Sequence, residues 1–464
     1  MRRLTSFLIL LAIIFTQLSC DTQQKSNKNE IFTAKQVFEV PDRPKGQQDV
    51  IELSAEPIDT VRMAIIGLGN RGSRAVNSYN FIEGAKVVAI CDVVPENVKR
   101  AQEMLAEAGK PMADEYTDSL AWKEICERDD IDLIYICTHW DLHTPIAVHA
   151  MENGKHVATE VPAALTIDEC WQLVNTAEKT QQHCMMLENC NYDFFEMATL
   201  NMAQQGKFGE IIHGEGAYIH DLRDGYLFNE KNGYWNMWRL KHLAKEDGNN
   251  YPTHGFGPIC HIMNIHRGDK LNYLVSVSSD QFGLTAYAKE KFGEDSKYAK
   301  ANYAKGDMST TIVKTQNGKT IMIQHSVTSP RPYSRIHMVS GTKGFAQKWP
   351  RKGLAFEPNA HSYLSDEEME KVLLEYEHPI TKEVGAKAKE VGGHGGMDFI
   401  MDYRLIYCLR NGLPLDQDVY DAAEWSAIVE LSRVSVQNQG MSVEIPDFTR
   451  GAWNKVKTVT YFNK

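Results

Sequence analysis

The sequence predicts an α/β protein in two parts: an N-terminal doubly wound parallel sheet, then an α+β domain built on an open, mostly antiparallel sheet. Three observations lead there. Short apolar runs alternate with helix-like segments from Val61 to Asn189, and a glycine-rich turn follows the first of those runs. Beyond Phe194 the pattern changes to runs that alternate polar and apolar residues, as half-buried strands do.

The first element, "VRMAIIGLGNRGSRAV" from Val61, is an apolar strand, then Gly67-x-Gly69-x-x-Gly72, then a helix-like segment. A glycine motif alone says little. Between a strand and a helix it places the backbone and the helix N-terminus where a pyrophosphate can approach. Twenty residues past Gly72, the strand "KVVAICD" ends in Asp92, the position at which a carboxylate hydrogen-bonds a ribose 2′-hydroxyl. Strand, glycines and acid together read as a Rossmann unit for NAD. The carboxylate repels the 2′-phosphate of NADP, and Arg71 is the residue nearby in sequence able to offset that repulsion.

The alternation continues with helix "PENVKRAQEMLAEAG", strand "IDLIYICT", helix "LHTPIAVHAMENG", strand "HVATEVP", helix "TIDECWQLVNTAEKT" and strand "HCMMLEN". Strands that are apolar on both faces and separated by helices form a parallel sheet, with ligand at the strands' C-terminal ends. Those ends are residues 67–72, Asp92, residues 139–143, Glu160 and Asn189.

After the helix "FFEMATLNMAQQG" come the strands "GEIIHGEGAYIHD", "LNYLVSVSSD" and "TTIVKTQNGKTIMIQHSV", the last folded by Asn317-Gly318 as a two-residue hairpin turn. "SRIHMVSGTKGFAQKW" reads as one further strand. Two late helices, "GGMDFIMDYRLIYCLRNG" and "DVYDAAEWSAIVELSRVSVQNQ", close the chain back onto the body. The domains expected are 59–193 for the NAD-binding part and 194–464 for the second, with the late helices packing back on the first.

Ahead of the body, "MRRLTSFLILLAIIFTQLSC" has two arginines and an apolar run from Phe7 to Phe15 that is too short to cross a bilayer, as in an export signal over residues 1–20. Leu18-Ser19-Cys20 resembles a bacterial lipobox, in which Cys20 is lipidated and anchors the protein at a membrane, on its periplasmic or cell-surface face. Arg2-Arg3 also matches part of a twin-arginine signal, so both export routes stay open. Residues 21–58, opening "DTQQKSNKNE", read as a flexible tether. The remaining eight cysteines form no C-x-x-C pair, and no metal site is expected. A net charge of −11 argues against nucleic acid and favours a small, neutral or weakly charged ligand.

Near the middle of the chain, in "NNYPTHGFGPICHIMNIH", Tyr251 and His254 lie three apart beside a helix start. A histidine exchanges protons at physiological pH and a tyrosine donates to a developing oxyanion, so this pair is the candidate for proton chemistry. His261 and His266 are expected in packing or on the surface.

The stretches "GLGNRG", "THWDLHTPIA", "ATEVPAA", "MMLENCNYD", "YPTHGFGP" and "GGHGGMDF" resemble the family 109 glycoside hydrolases, the NAD-dependent α-N-acetylgalactosaminidases of the Gfo/Idh/MocA superfamily, over nearly all of the chain after residue 60. The resemblance implies tightly bound NAD that is regenerated each turnover. Oxidation of the sugar's C3 hydroxyl acidifies the C2 hydrogen, a base removes it, the glycosidic oxygen leaves, water adds and hydride returns to C3. It implies a cofactor site of Gly67, Gly69, Asn70, Arg71, Asp92, Trp140, His143, Glu160, Val161 and Asn189. Tyr218, Arg239, Tyr251, Pro252, Thr253, His254 and Tyr333 would face the sugar, a terminal α-linked N-acetylgalactosamine. Tyr251 and His254 would carry the acid/base steps, their order between C3 and C2 left open.

Ordinary dehydrogenases of this superfamily usually carry Glu-Lys-Pro where this chain has Glu160-Val161-Pro162, and valine moves no proton. A net sugar oxidoreductase therefore lacks one expected group, although it remains the alternative. A surface-anchored sugar-binding protein is a third reading, against which the glycine loop and Asp92 argue. The open sheet is the face expected for self-association.

Overall fold

The computed structural model describes residues 35–459, so the export signal, Cys20 and Arg2-Arg3 lie outside the described residues. Part of the segment read as a tether is not one. Val50 is buried, and Arg43 pairs with the buried Glu178 through two hydrogen bonds of 3.0 Å, so this stretch is packed on the body.

The first sheet contains β1 (Val61–Ile66), β2 (Ala85–Cys91), β3 (Asp114–Tyr116), β4 (Leu133–Ile136), β5 (His156–Thr159) and β6 (Cys184–Met186). All neighbours are parallel, in the order β3-β2-β1-β4-β5-β6. The order reverses between β1 and β4, which opens a crevice above their C-terminal ends. Helices α1 (Asn70–Tyr79), α2 (Pro95–Glu107), α3 (Ala121–Glu127), α4 (His143–Glu152) and α5 (Ile167–Thr180) fall between successive strands. Local chemistry sets their starts: proline opens α2, and Thr166 with Glu169 makes a capping box for α5.

The second sheet is formed by β7 (Ile211–Ile219), β8 (Leu271–Ser278), β9 (Ser309–Thr315), β10 (Thr320–Ser326), β11 (Met338–Gly341), β12 (Gly344–Gln347), β13 (Gly353–Phe356) and β14 (Ser442–Glu444). They run β14-β8-β9-β10-β7-β11-β12-β13, antiparallel throughout except that β10 and β7 are parallel. Two local expectations need correction. The hairpin at Asn317-Gly318 closes with three residues, 316–318, because the Thr315 N–H already donates to Lys319 at 3.0 Å and Gly318 takes a φ of +92°. The run "SRIHMVSGTKGFAQKW" holds two strands, β11 and β12, paired antiparallel. Gly341 and Gly344 break it, each seated where a Cβ would collide with Phe208 or Phe356.

Between the strands lie α6 (Phe194–Gln204), α7 (Trp238–Leu243), α8 (Thr253–Ile262) and α9 (Gly283–Phe292); after them come α10 (Asp366–Glu375), α11 (Pro379–Val391), α12 (Met397–Asn411) and α13 (Val419–Gln437). Helix α12 packs on α1 and β1, and α13 packs on α5, β6 and β8. One apolar core therefore runs through both sheets, with a smaller one around Leu222, Phe228, Leu240 and Leu284. His261 and His266 are buried beneath α13, where His266 Nδ1 lies 2.8 Å from Glu424, so both belong to packing.

The contact that matters most for the site is that of α8 on β7. A Cβ on Gly216 would sit 2.0 Å from the Gly255 carbonyl oxygen, and one on Gly255 would sit 2.1 Å from the Ala217 nitrogen. Only two glycines allow helix and strand to meet this closely, and the approach brings Tyr251 and His254 against Tyr218. Gly255→Ala should therefore destabilise the fold by about 1–3 kcal/mol or more. Urea melts measure this, and unchanged stability would show that the helix can move away freely.

Candidate active site

A cleft of about 1380 Å³ opens where the C-terminal ends of the first sheet meet the second part of the chain. Gly67, Gly69, Asn70, Arg71, Asp92, Trp140, His143, Glu160, Val161 and Asn189 all line it, as do Tyr218, Arg239, Tyr251 and His254. Pro252 and Thr253 are buried behind Tyr251 and His254 and do not line it. Tyr333 stands outside the lining, 41% exposed, with its ring edge 5.1 Å from His220 and 6.3 Å from Tyr218. These three expected sugar contacts are therefore not in the cleft wall.

At one end the three glycines do different things. Gly67 has φ +90°, and a Cβ there would lie 2.5 Å from the Cys137 carbonyl oxygen. A Cβ on Gly72 would lie 1.9 Å from the Gly67 carbonyl, whereas one on Gly69 would meet nothing within 4 Å. The first and third glycines close the turn, and the second leaves its face open at the start of α1, whose N-cap has no side-chain partner. This is a cradle that fits a pyrophosphate. Asp92 is held by the same loop, accepting from the Leu68 N–H at 2.6 Å and the Val94 N–H at 2.8 Å. Each carboxylate oxygen keeps a lone pair for a ribose hydroxyl.

Arg71 is committed elsewhere. Its Nε donates to Glu160 at 2.8 Å and Nη1 to Asp398 at 2.8 Å, so it does not serve as a partner for a 2′-phosphate. Burial opposes ionisation of Asp398, but the Arg71 charge holds its carboxyl well below the usual range. His143 is buried with Nδ1 2.8 Å from the Pro162 carbonyl and Nε2 3.1 Å from that of Thr138. It ties the chain leaving β4 to the chain leaving β5, and burial lowers its pKa.

At the other end, aromatic rings surround one cation. Tyr251 stacks on Trp140 at 5.8 Å, meets Tyr218 at 4.7 Å and stands edge-on to His254 at 4.9 Å. The Arg239 guanidinium lies 4.6 Å from the Tyr251 ring and 4.9 Å from Trp140. Arg239 is 3% exposed; Nη1 donates to the Tyr234 hydroxyl at 2.8 Å, while Nε and Nη2 have no partner among the described residues. A buried cation with unused donors is prepared for a ligand oxygen. Burial keeps the Tyr251 phenol protonated by raising its pKa well above the usual value.

His254 Nδ1 lies 2.7 Å from one oxygen of Glu188 and 2.9 Å from the other. Glu188 is fully buried and also accepts from the Cys190 N–H at 3.0 Å. Burial alone would raise its pKa, yet the His254 charge and hydrogen bond bring it below the ordinary value. The dyad orients the imidazole and leaves Nε2 for proton transfer.

Residues 192–455 match the family model "Glycosyl hydrolase 109, C-terminal domain", and residues 61–188 match "Oxidoreductase family, NAD-binding Rossmann fold". The chain belongs to glycosyl hydrolase family 109. It is 58% identical over 411 residues to an alpha-N-acetylgalactosaminidase of Bacteroides fragilis, spanning 88% of this chain and 97% of that one. It is 50% identical over 455 residues to glycosyl hydrolase family 109 protein 1 of Bacteroides thetaiotaomicron, covering 95% of each. Among solved structures, levoglucosan dehydrogenase in complex with NADH and levoglucosan superposes with a TM-score of 0.62 at 17% identity, over 84% of this chain and all of that one. Scyllo-inositol dehydrogenase from Lactobacillus casei superposes with a TM-score of 0.58 at 14% identity, over 83% and 99% of the two chains. These dehydrogenases share the fold of the family 109 chain. The protein is a glycoside hydrolase that carries an NAD-binding domain.

Sequence reasoning about this family 109 chain missed three groups at the cleft, of which His394 and Asp398 line it and Glu188 is buried against His254. Glu188 sits one residue before Asn189, at the end of β6, where an acid is itself a signal. His394 and Asp398 come from "GGHGGMDF", in a loop where Gly392, Gly393, Gly395, Gly396 and His394 all take positive φ. His394 Nδ1 lies 2.8 Å from Asp398, and its imidazole lines the cleft. The cleft thus holds two carboxylate-backed histidines.

Asp402 lies at the cofactor end of the cleft, accepting from the hydroxyls of Tyr135 at 2.9 Å and Tyr79 at 3.3 Å. Burial pushes its pKa up to about 7. A folded pKa above the unfolded one means that the contribution of this group is fully present below the unfolded pKa and is lost as pH rises through the folded one. Asp402→Asn keeps the accepting oxygen and removes the titration. The variant should match wild type near pH 4 and exceed its stability near pH 8 by up to about 4 kcal/mol in urea melts. An equal difference at both pH values would show that Asp402 does not titrate there.

Proposed function

We propose that this hydrolase releases terminal α-linked N-acetylgalactosamine by transient oxidation at C3, with its NAD retained and regenerated in every turnover. The observation that carries this reading is the Glu188–His254 dyad beside Tyr251 and Arg239, in one cleft with the glycine loop and Asp92. The Bacteroides fragilis relative supplies the sugar.

Held by the glycine loop and Asp92, NAD⁺ would supply a hydride acceptor for C3 and return the hydride later in the same turnover. The residues of the chain handle protons and charge. His254, fixed by Glu188, takes the C2 proton once a neighbouring ketone makes it acidic. Tyr251, kept neutral by burial, relays the C3 hydroxyl proton to solvent as the hydride leaves and gives one back to that oxygen when the hydride returns, while the unused donors of Arg239 stabilise negative charge as it develops there. Water in the cleft gives the proton to the departing glycosidic oxygen and takes one from the water that adds, because both nitrogens of His394 are engaged, Nδ1 by Asp398 at 2.8 Å and Nε2 by Arg74 at 3.1 Å. Because no oxocarbenium ion has to be stabilised, no acid–nucleophile pair of carboxylates is needed.

Val161 supports a hydrolase over a net dehydrogenase, since the superfamily's usual proton-carrying lysine is absent. An exported location anchored through Cys20 is part of the same proposal: NAD is scarce outside the cytoplasm, and an enzyme that does not consume its cofactor functions there. Purified enzyme should release nitrophenol from the α-linked N-acetylgalactosaminide without added NAD. Pretreatment with borohydride, which reduces bound cofactor, should cut that rate at least about tenfold. Unchanged release after pretreatment, or NADH formed in step with product, would contradict the reading.

A further inference from the structure

Trp235 is 53% exposed on the wall of the cleft, an unusual place for so large an apolar side chain. Its position is built. The next two residues, Asn236 and Met237, have left-handed φ values of 51° and 49°, and consecutive non-glycine residues rarely adopt this conformation without a surrounding structure that enforces it. Here the Met237 N–H donates to the Tyr234 carbonyl at 2.7 Å, and Lys241 Nζ donates to Asn236 Oδ1 at 2.8 Å. Neither bond serves Trp235 packing; together they fix a turn that leaves the indole in solvent.

The residues on either side of this turn carry packed rings that line the same cleft. Trp140 meets Trp238 at 4.9 Å, Trp238 meets Tyr234 at 5.1 Å, and the Tyr234 hydroxyl takes the hydrogen bond of Arg239. Trp235 lines the same cleft as Trp140, Trp238 and Tyr234 and is the exposed one among them. A terminal sugar has one covalent neighbour, the group on its C1 oxygen, and that group has to extend toward the open mouth of the cleft. Pyranose rings present apolar C–H faces, for which an exposed indole is a fitting platform.

We infer that Trp235 forms an aglycone subsite that stacks the sugar to which the terminal residue is linked, with Glu230 and Asn232 beside it on the cleft wall for its hydroxyls. This inference rests on the terminal-sugar hydrolase reading above. It is tested on the holoenzyme with two ligands, the methyl α-glycoside of N-acetylgalactosamine and a disaccharide with the same terminal sugar, comparing wild type, Trp235→Ala and Trp235→Phe. Hydrolysis is followed directly, and binding is followed by calorimetry after borohydride treatment has stalled turnover. Trp235→Ala should raise KM and Kd for the disaccharide about five- to tenfold, leave kcat and the methyl glycoside values unchanged, and be largely rescued by Trp235→Phe. Equal losses on both ligands, no loss on either, or no disaccharide binding by wild type would overturn the subsite. If wild type hydrolyses neither ligand yet Trp235→Ala still selectively weakens disaccharide binding, the hydrolase reading fails while the subsite stands.

Discussion

Arg71 is the residue on which the architecture of the cleft depends. It stands in the first turn of the helix after the glycine loop and reaches both Glu160, at the tip of β5, and Asp398, in the first turn of a helix more than three hundred residues later. Asp398 in turn binds Asn189 and His394. One cation thus joins the cofactor loop, two strand ends and the C-terminal loop that carries the second cleft histidine. Breaking a buried pair of this kind by removing one partner leaves a charge uncompensated, at a cost of about 3–5 kcal/mol. Glu160 consequently has a double part: it lines the cofactor end of the cleft and it anchors Arg71.

On the proposed reading, the proton chemistry that Val161 cannot supply falls to a dyad built elsewhere. The close approach of Gly216 and Gly255 lays α8 on β7, and this puts His254 within reach of Glu188 at the end of β6. Each part of the chain supplies one partner of the dyad. The dyad is therefore assembled only when both sheets are in place, and the neighbouring Arg239 Nε and Nη2 have no partner among the described residues.

Much of the fold was legible because its signals are local. The glycine motif, Asp92 at the end of β2 and the apolar strand–helix alternation each lie within a few turns of chain, and the structure forms five of the six strands of the first sheet from those segments, the short edge strand β3 having no apolar run to mark it. The strand ends that line the cleft followed from the rule that ligands gather there. What was not legible depends on distance or on fine turn geometry. Arg71 and Asp398 are 327 residues apart, so periodicity says nothing of their pairing, and Arg71 was read as a neighbour of the ribose. Glu188 was passed over because its role depends on a helix start that arrives sixty-six residues later. Tyr333 lies in a loop with no local mark that it packs beside the cleft residues His220 and Tyr218 without lining the cleft itself. The apolar anchors Val50 and Ile51 were hidden in a polar stretch that composition alone assigns to a tether.

On the proposed reading, hydrolysis passes through removal and return of the C2 proton, carried by groups that the cleft orients. Hydrolysis in deuterium oxide, followed by magnetic resonance or mass analysis of the released N-acetylgalactosamine, tests it directly. The account predicts one solvent-derived deuterium at C2 in the product. Product released at full rate with its original C2 hydrogen would contradict it.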